Sequence, residues 1–185
     1  MSRTLRVFYR VKPDILAQCK VNPSFCEDVL AGDEDGLVES FDVDQSWDAI
    51  HFVISPNRAY PDQGTLDEFL VFDWAITGRE PVHKGLALGH GPASLLDADT
   101  VRDVSNNLTG LDQRELRETF DPEAMDTAEV HPEIWTTTVR TSQEQSEAWD
   151  YIWDHFTRLR EFYKRASDGG DAVITWIIPF DEAQP

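Results

Sequence analysis

In "LRVFYRV", residues 5–11, apolar and polar positions alternate, with Leu5, Val7, Tyr9 and Val11 on one side and Arg6 and Arg10 on the other. A period of two predicts a strand with one face toward a core. Pro13 then suits the first turn of a short helix, and in "NPSFCEDVLA" Asn22 can cap a second one with Pro23 at its first position. From Ser46, a candidate cap, Trp47, Ile50, His51 and Ile54 recur at helical spacing, and Pro56 closes the segment. "TLDEFLVFDWAITG" predicts another amphipathic helix, with Thr65 as cap and Gly78 as stop.

"GREPVHKGLALGHGPAS" is too rich in Gly and Pro for helix and predicts loop around one short strand. Asp97 or Asp99 can cap a helix carrying Val101, Val104 and Leu108, and Asp112 a shorter one carrying Leu116 and Phe120. A long helix over about 144–166 aligns Trp149, Ile152, Trp153, Phe156, Leu159 and Tyr163, and two glycines stop it. "DAVITWIIPF" is apolar on both faces, as a central strand is. Strands at both ends with helices between predict an α+β fold. It is a single compact domain over 1–185, with a small mixed sheet holding both terminal strands, covered by the long helix and several shorter ones.

The composition narrows the partners. The chain has 185 residues, 41% of them hydrophobic, enough for a core without staples. Sixteen Lys and Arg against 35 Asp and Glu give a net charge of -19, which repels nucleic acid and anionic membranes. The acidic surface suits solubility in a salty cytoplasm or docking of a basic protein. Two cysteines, Cys19 and Cys26, make neither a disulfide framework nor a four-ligand zinc site, and fit a reducing cytoplasm. The longest apolar run, "AVITWIIPF", is far short of the ~18 residues that span a bilayer.

Phosphate-loop, dinucleotide, zinc-protease and serine-hydrolase signatures are missing, so no cofactor or metal is expected. Candidate chemistry gathers in "FDVDQSWDAIHFVIS", where Asp44, Trp47, Asp48 and His51 share one short stretch. A histidine on a buried helix face needs a partner for its ring, which Asp44, Asp48 or a carbonyl can supply. His90 lies between Gly89 and Gly91, followed by Pro92, in a loop that lets a ligand approach closely. Were that loop to meet the Trp47 helix, an aromatic-walled cleft with two titratable groups would result.

"FDVDQSWDAIHFVIS", "GHGPASLLDADTVRDVSNNL", "FDPEAMDTAEVHPEIW" and the final helix with its strand resemble, in order, the blocks of the YfbM-like family of uncharacterised bacterial proteins, over about residues 4–178. The first block resembles D-K-x-W-H-x-L-H at Asp44, Trp47 and His51, while Gln45 and Asp48 depart from it. In the second, Gly91, Pro92 and Ala93 match and His90 replaces a tyrosine; in the third, Asp121, Met125, Pro132 and Trp135 match and His131 replaces a tyrosine. The resemblance implies a compact α+β fold and a bacterial cytoplasmic protein, and it implies no activity. Two functions remain open. One is a non-enzymatic binding or regulatory protein, of the immunity kind, that holds a basic protein with its acidic surface and a cleft including Trp47, Gly89, Gly91, Pro92 and Trp135. The other is an enzyme acting on a small polar molecule, with His51 as general base oriented by Asp44 or Asp48 and His90 as proton donor.

Overall fold

The computed structural model describes residues 4–60, 64–83 and 91–179. Strand β1 (Thr4–Val11) lies between β2 (Leu37–Asp42) and β5 (Ala172–Pro179). β5 continues to β4 (Ser94–Leu96) and β3 (Glu80–Pro81), giving the order β2-β1-β5-β4-β3. The two terminal strands are therefore neighbours inside the sheet, and β5 is central, as its two apolar faces predict.

The α+β class holds, but the sheet is antiparallel at every pairing rather than mixed. Strand periodicity carries no direction; register does, and Thr4 faces Pro179 while Val11 faces Ala172. β2, unsuspected in the sequence, has a bulge beside Val11 that lets Phe41 pack with the larger core and Leu37 with the smaller.

Helices cover both faces. On one, α1 (Pro13–Val21) and α2 (Pro23–Ala31) bury Leu16, Cys19, Cys26 and Val29 against Tyr9, Val11 and Ile174. Asn22 caps α2 as expected, accepting from the Phe25 N–H at 3.2 Å. The other face carries the larger core, centred on Phe8, Ile50, Val104, Phe156 and Tyr163. This overturns the half-buried reading of β1. Its Arg6–Phe8–Arg10 side points into the larger core, and Phe8 is fully buried between the two arginines.

The larger layer begins with a 3-10 turn at Asp44–Ser46 that runs into α3 (Trp47–Ile54), then α4 (Pro56–Ala59). Ser46 does not cap α3; its hydroxyl donates to the Val43 carbonyl, because the 3-10 turn already occupies the capping place. Thr65 likewise gives way to a second 3-10 turn, Asp67–Phe69, ahead of α5 (Leu70–Thr77). Gly78 does end α5, at φ +73, and a Cβ there would sit 2.5 Å from that of Ser94.

Asp97, Asp112 and Asp121 cap α6 (Ala98–Thr109), α7 (Gln113–Thr119) and α8 (Pro122–Thr127). After the short α9 (Trp135–Thr138), α10 (Ser142–Asp168) starts from a capping box in which Thr141 and Glu144 bond each other's backbone N–H. Its stripe of Trp149, Ile152, Phe156, Leu159, Phe162 and Tyr163 is buried, each side chain contributing about 1.5–3 kcal/mol. Among the described residues no helix is long and apolar enough to cross a membrane.

Candidate functional site

α3 is buried on nearly every side, with seven of its eight residues inside, so its polar side chains must find partners in the interior. Asp48 takes a two-pronged contact from Arg58, Nε and Nη2 each at 2.9 Å, and accepts the His131 backbone N–H at 2.9 Å. Arg58 also donates to the Ala128 carbonyl. One carboxylate thus ties α3 to α4 and to the loop between α8 and α9.

At the other end of α3, His51 Nε2 donates to Asp73 Oδ1 at 2.9 Å. Ser55 Oγ reaches the same oxygen at 2.5 Å, and Asn57 Nδ2 reaches Oδ2 at 2.7 Å. Burial pushes the Asp73 carboxyl up, but the hydrogen bonds from His51, Asn57 and Ser55 outweigh it and hold its pKa below the ordinary value. His51 is 8% exposed and is tied to α5.

A different arrangement surrounds Trp47. Its ring stacks on His131, with centroids 6.0 Å apart and planes 20° from parallel. The Arg6 guanidinium lies 4.9 Å from the Trp47 ring centroid. Arg6 Nη1 donates to the Ile76 carbonyl at 2.9 Å and reaches Thr175 Oγ1 at 3.5 Å. Burial lowers the pKa of Arg6 to about 10, against the pull of Asp48, and burial lowers that of His131. Arg6 Nε, Trp47 Nε1 and His131 Nε2 are all buried and have no hydrogen-bond partner among the described residues.

Next to this stack is a cavity of about 260 Å³ lined by Gln45, Ser46, Pro132, Ile134, Trp135 and Tyr151, among others. Its lining is largely apolar, and Ile134 and Tyr151 are 39% and 40% exposed at its edge. Trp135 is held by its indole N–H on the Val130 carbonyl at 2.9 Å. Asp44, at φ 51, accepts from the Tyr151 hydroxyl at 2.8 Å; burial and then Asp44 push that phenol up. In sequence, the lining residues adjoin Asp44, Glu133, Glu147 and Asp150, against the single cation Arg140.

Asp44, Trp47, Asp48, His51 and Trp135 therefore all lie on or around α3. The partner of His51 is Asp73, not Asp44 or Asp48. Gly91 is elsewhere: its carbonyl accepts from Trp176, which packs with the smaller core across the sheet, and Pro92 follows it on the surface. Gly89 and His90 lie outside the described residues. Arg6, Arg58, Asp73 and Asn57 were missed by sequence reasoning. Only Arg6 carried a signal, an arginine two residues from a phenylalanine and so on the same side of a strand. Among the described residues no three His, Cys, Asp or Glu side chains gather as a metal site would require.

Residues 1–176 match the model of a domain of unknown function, DUF1877, and the chain belongs to that family. Its fold is similar to that of the crystal structure of YfbM from Escherichia coli, a protein of unknown function, with a TM-score of 0.71 at 19% identity over 94% of this chain and 99% of that one. No curated protein matches the chain.

Proposed function

We propose that this domain is a binding protein rather than a catalyst, of the regulatory or immunity kind, and that it docks a segment of a basic protein in the cavity between Gln45, Trp135 and Tyr151. The observation that carries this reading is an apolar lining whose residues are flanked in sequence by Asp44, Glu133, Glu147 and Asp150, with Asp44 bonded to the lining Tyr151. An apolar side chain of the partner enters against Ile134 and Trp135, while flanking Lys or Arg residues meet Asp44, Glu133, Glu147 and Asp150. The net charge of -19 steers such a partner inward.

What supports binding over the enzymatic alternative is access: His51 is 8% exposed on a helix buried on nearly every side, and its hydrogen bond to Asp73 ties α3 to α5. Cys19 and Cys26, both buried free thiols, support a reducing cytoplasm as the setting.

The test compares the wild-type chain with Ile134→Lys as baits on native lysate, at low salt and at about 1 M salt, where the Debye length is about 3 Å. Captured proteins are identified by mass spectrometry and the purified pair is titrated. The reading expects a basic protein that binds the wild type at low salt, is lost at high salt and does not bind Ile134→Lys. A partner bound equally by both baits, or a bound metabolite with no protein, overturns it.

A further inference from the structure

Arg6 is a buried cation without a counter-ion. It is 7% exposed, its hydrogen bonds go to a carbonyl and a hydroxyl, and among the described residues no carboxylate pairs with it. Asp48, the anion close enough to act on it, gives one oxygen to Arg58 Nε and the other to Arg58 Nη2 and the His131 N–H. Arg6, Arg58 and Asp48 together leave one positive charge unbalanced inside a protein whose net charge is -19.

The unused hydrogen-bonding capacity falls on residues that touch one another. Among the described residues, three of the four buried side-chain polar atoms without partners are Arg6 Nε, Trp47 Nε1 and His131 Nε2, the members of one stack. Two of them are obligate donors, and the imidazole becomes a third in the tautomer with its proton on Nε2. A water molecule would satisfy donors but would leave the guanidinium charge as it is. A group that brings both lone pairs and negative charge answers both needs. Trp47 and His131 are only half-buried, so the stack reaches the protein surface although its unpaired nitrogens are covered.

We propose that the Arg6–Trp47–His131 stack is a binding site for a small oxyanion, a carboxylate or a phosphoryl group, whose oxygens accept from Arg6 Nε and Trp47 Nε1. The site lies beside the docking cavity and does not depend on it. Its ligand is an anion, whereas the docked partner is a cation. High salt screens the exposed docking contacts far more than this buried one.

The test is nuclear magnetic resonance on the ¹⁵N-labelled full chain, titrated in parallel with sodium acetate and with inorganic phosphate at constant ionic strength. The reporters are the Arg6 Nε–H and the Trp47 indole N–H, the latter assigned by its loss in Trp47→Phe. Both signals are expected to move saturably with at least one anion, and the tighter of the two identifies the carboxylate or the phosphoryl source. In Trp47→Phe, which keeps the aromatic stack and removes one donor, the Arg6 signal should report a dissociation constant raised about tenfold. The proposal is overturned if neither signal moves at millimolar anion. It is also overturned if both N–H groups show long-lived water contacts that the anions do not displace, or if Trp47→Phe binds as well as the wild type.

Discussion

Around Asp73, at the C-terminal end of α3, the carboxylate accepts from three side chains and no polar atom of the cluster is left buried and unpaired. Around Trp47, at the N-terminal end, three ring or guanidinium nitrogens are buried with no partner among the described residues. Both sit on the eight-residue helix α3, with Trp47 its first residue and His51 four residues further on. Both contain a histidine, an aspartate and neighbours suited to chemistry, so residue types do not distinguish them. Saturation does: a cluster whose hydrogen-bonding capacity is used up holds the fold together, and one with capacity to spare has something to offer a ligand.

The largest break in that contrast should come from Asp73→Ala, which strands His51, Ser55 and Asn57. A loss of about 3 kcal/mol is expected by urea unfolding. Asp48→Asn comes next, at about 2 kcal/mol, since the two-pronged Arg58 contact is weakened and Arg58 loses its counter-charge. Either loss falling below 0.5 kcal/mol, on the order of an exposed substitution, would remove the structural role given to that cluster.

Acid sharpens the contrast further. The folded pKa of His131 lies below its ordinary 6.5, so its contribution to stability is complete above that pH and is lost as pH falls through the lowered value. Asp73, also lowered, behaves the same way below its ordinary 3.8. A shallow loss of stability beginning near pH 6.5 should therefore vanish in His131→Phe, while the steeper loss in stronger acid persists. Unfolding free energies measured across that range, in both proteins, check this. Trp47→Phe should do least, less than about 1 kcal/mol, because the stack survives and the deleted N–H had no partner. A larger loss would mean that this nitrogen already serves the fold.

Much of the fold was legible because the elements that define it are long or carry caps. β5 with its two apolar faces, α10 with its stripe, and the caps at Asn22, Asp97 and Asp112 rest on local physics that a sequence displays. β2 was not legible: its six residues alternate only weakly, and a bulge shifts its register. The site was half legible. His51, Asp48 and Trp47 announce themselves by sharing a helix, but their partners Asp73, Arg58 and Arg6 come from 22, 10 and 41 residues away, at separations no periodicity spans. That Gly91 lies against Trp176, with the smaller core, was illegible for the same reason: which face of the sheet a residue returns to is decided by the path of the whole chain.

β1 and β5 are neighbours in the sheet though 160 residues lie between Val11 and Ala172. During synthesis, at about 5–20 residues per second, β1 therefore waits on the order of 10–30 s for its central partner. Through that interval Phe8 and Arg6 have no finished sheet to sit in, and the nascent chain carries an open strand edge of the kind that chaperones bind and neighbouring chains invade. Arg6 reaches Thr175 of β5 as well as the Trp47 ring, so the surroundings of the stack are complete only once β5 has paired with β1, and a ligand held there would report that pairing.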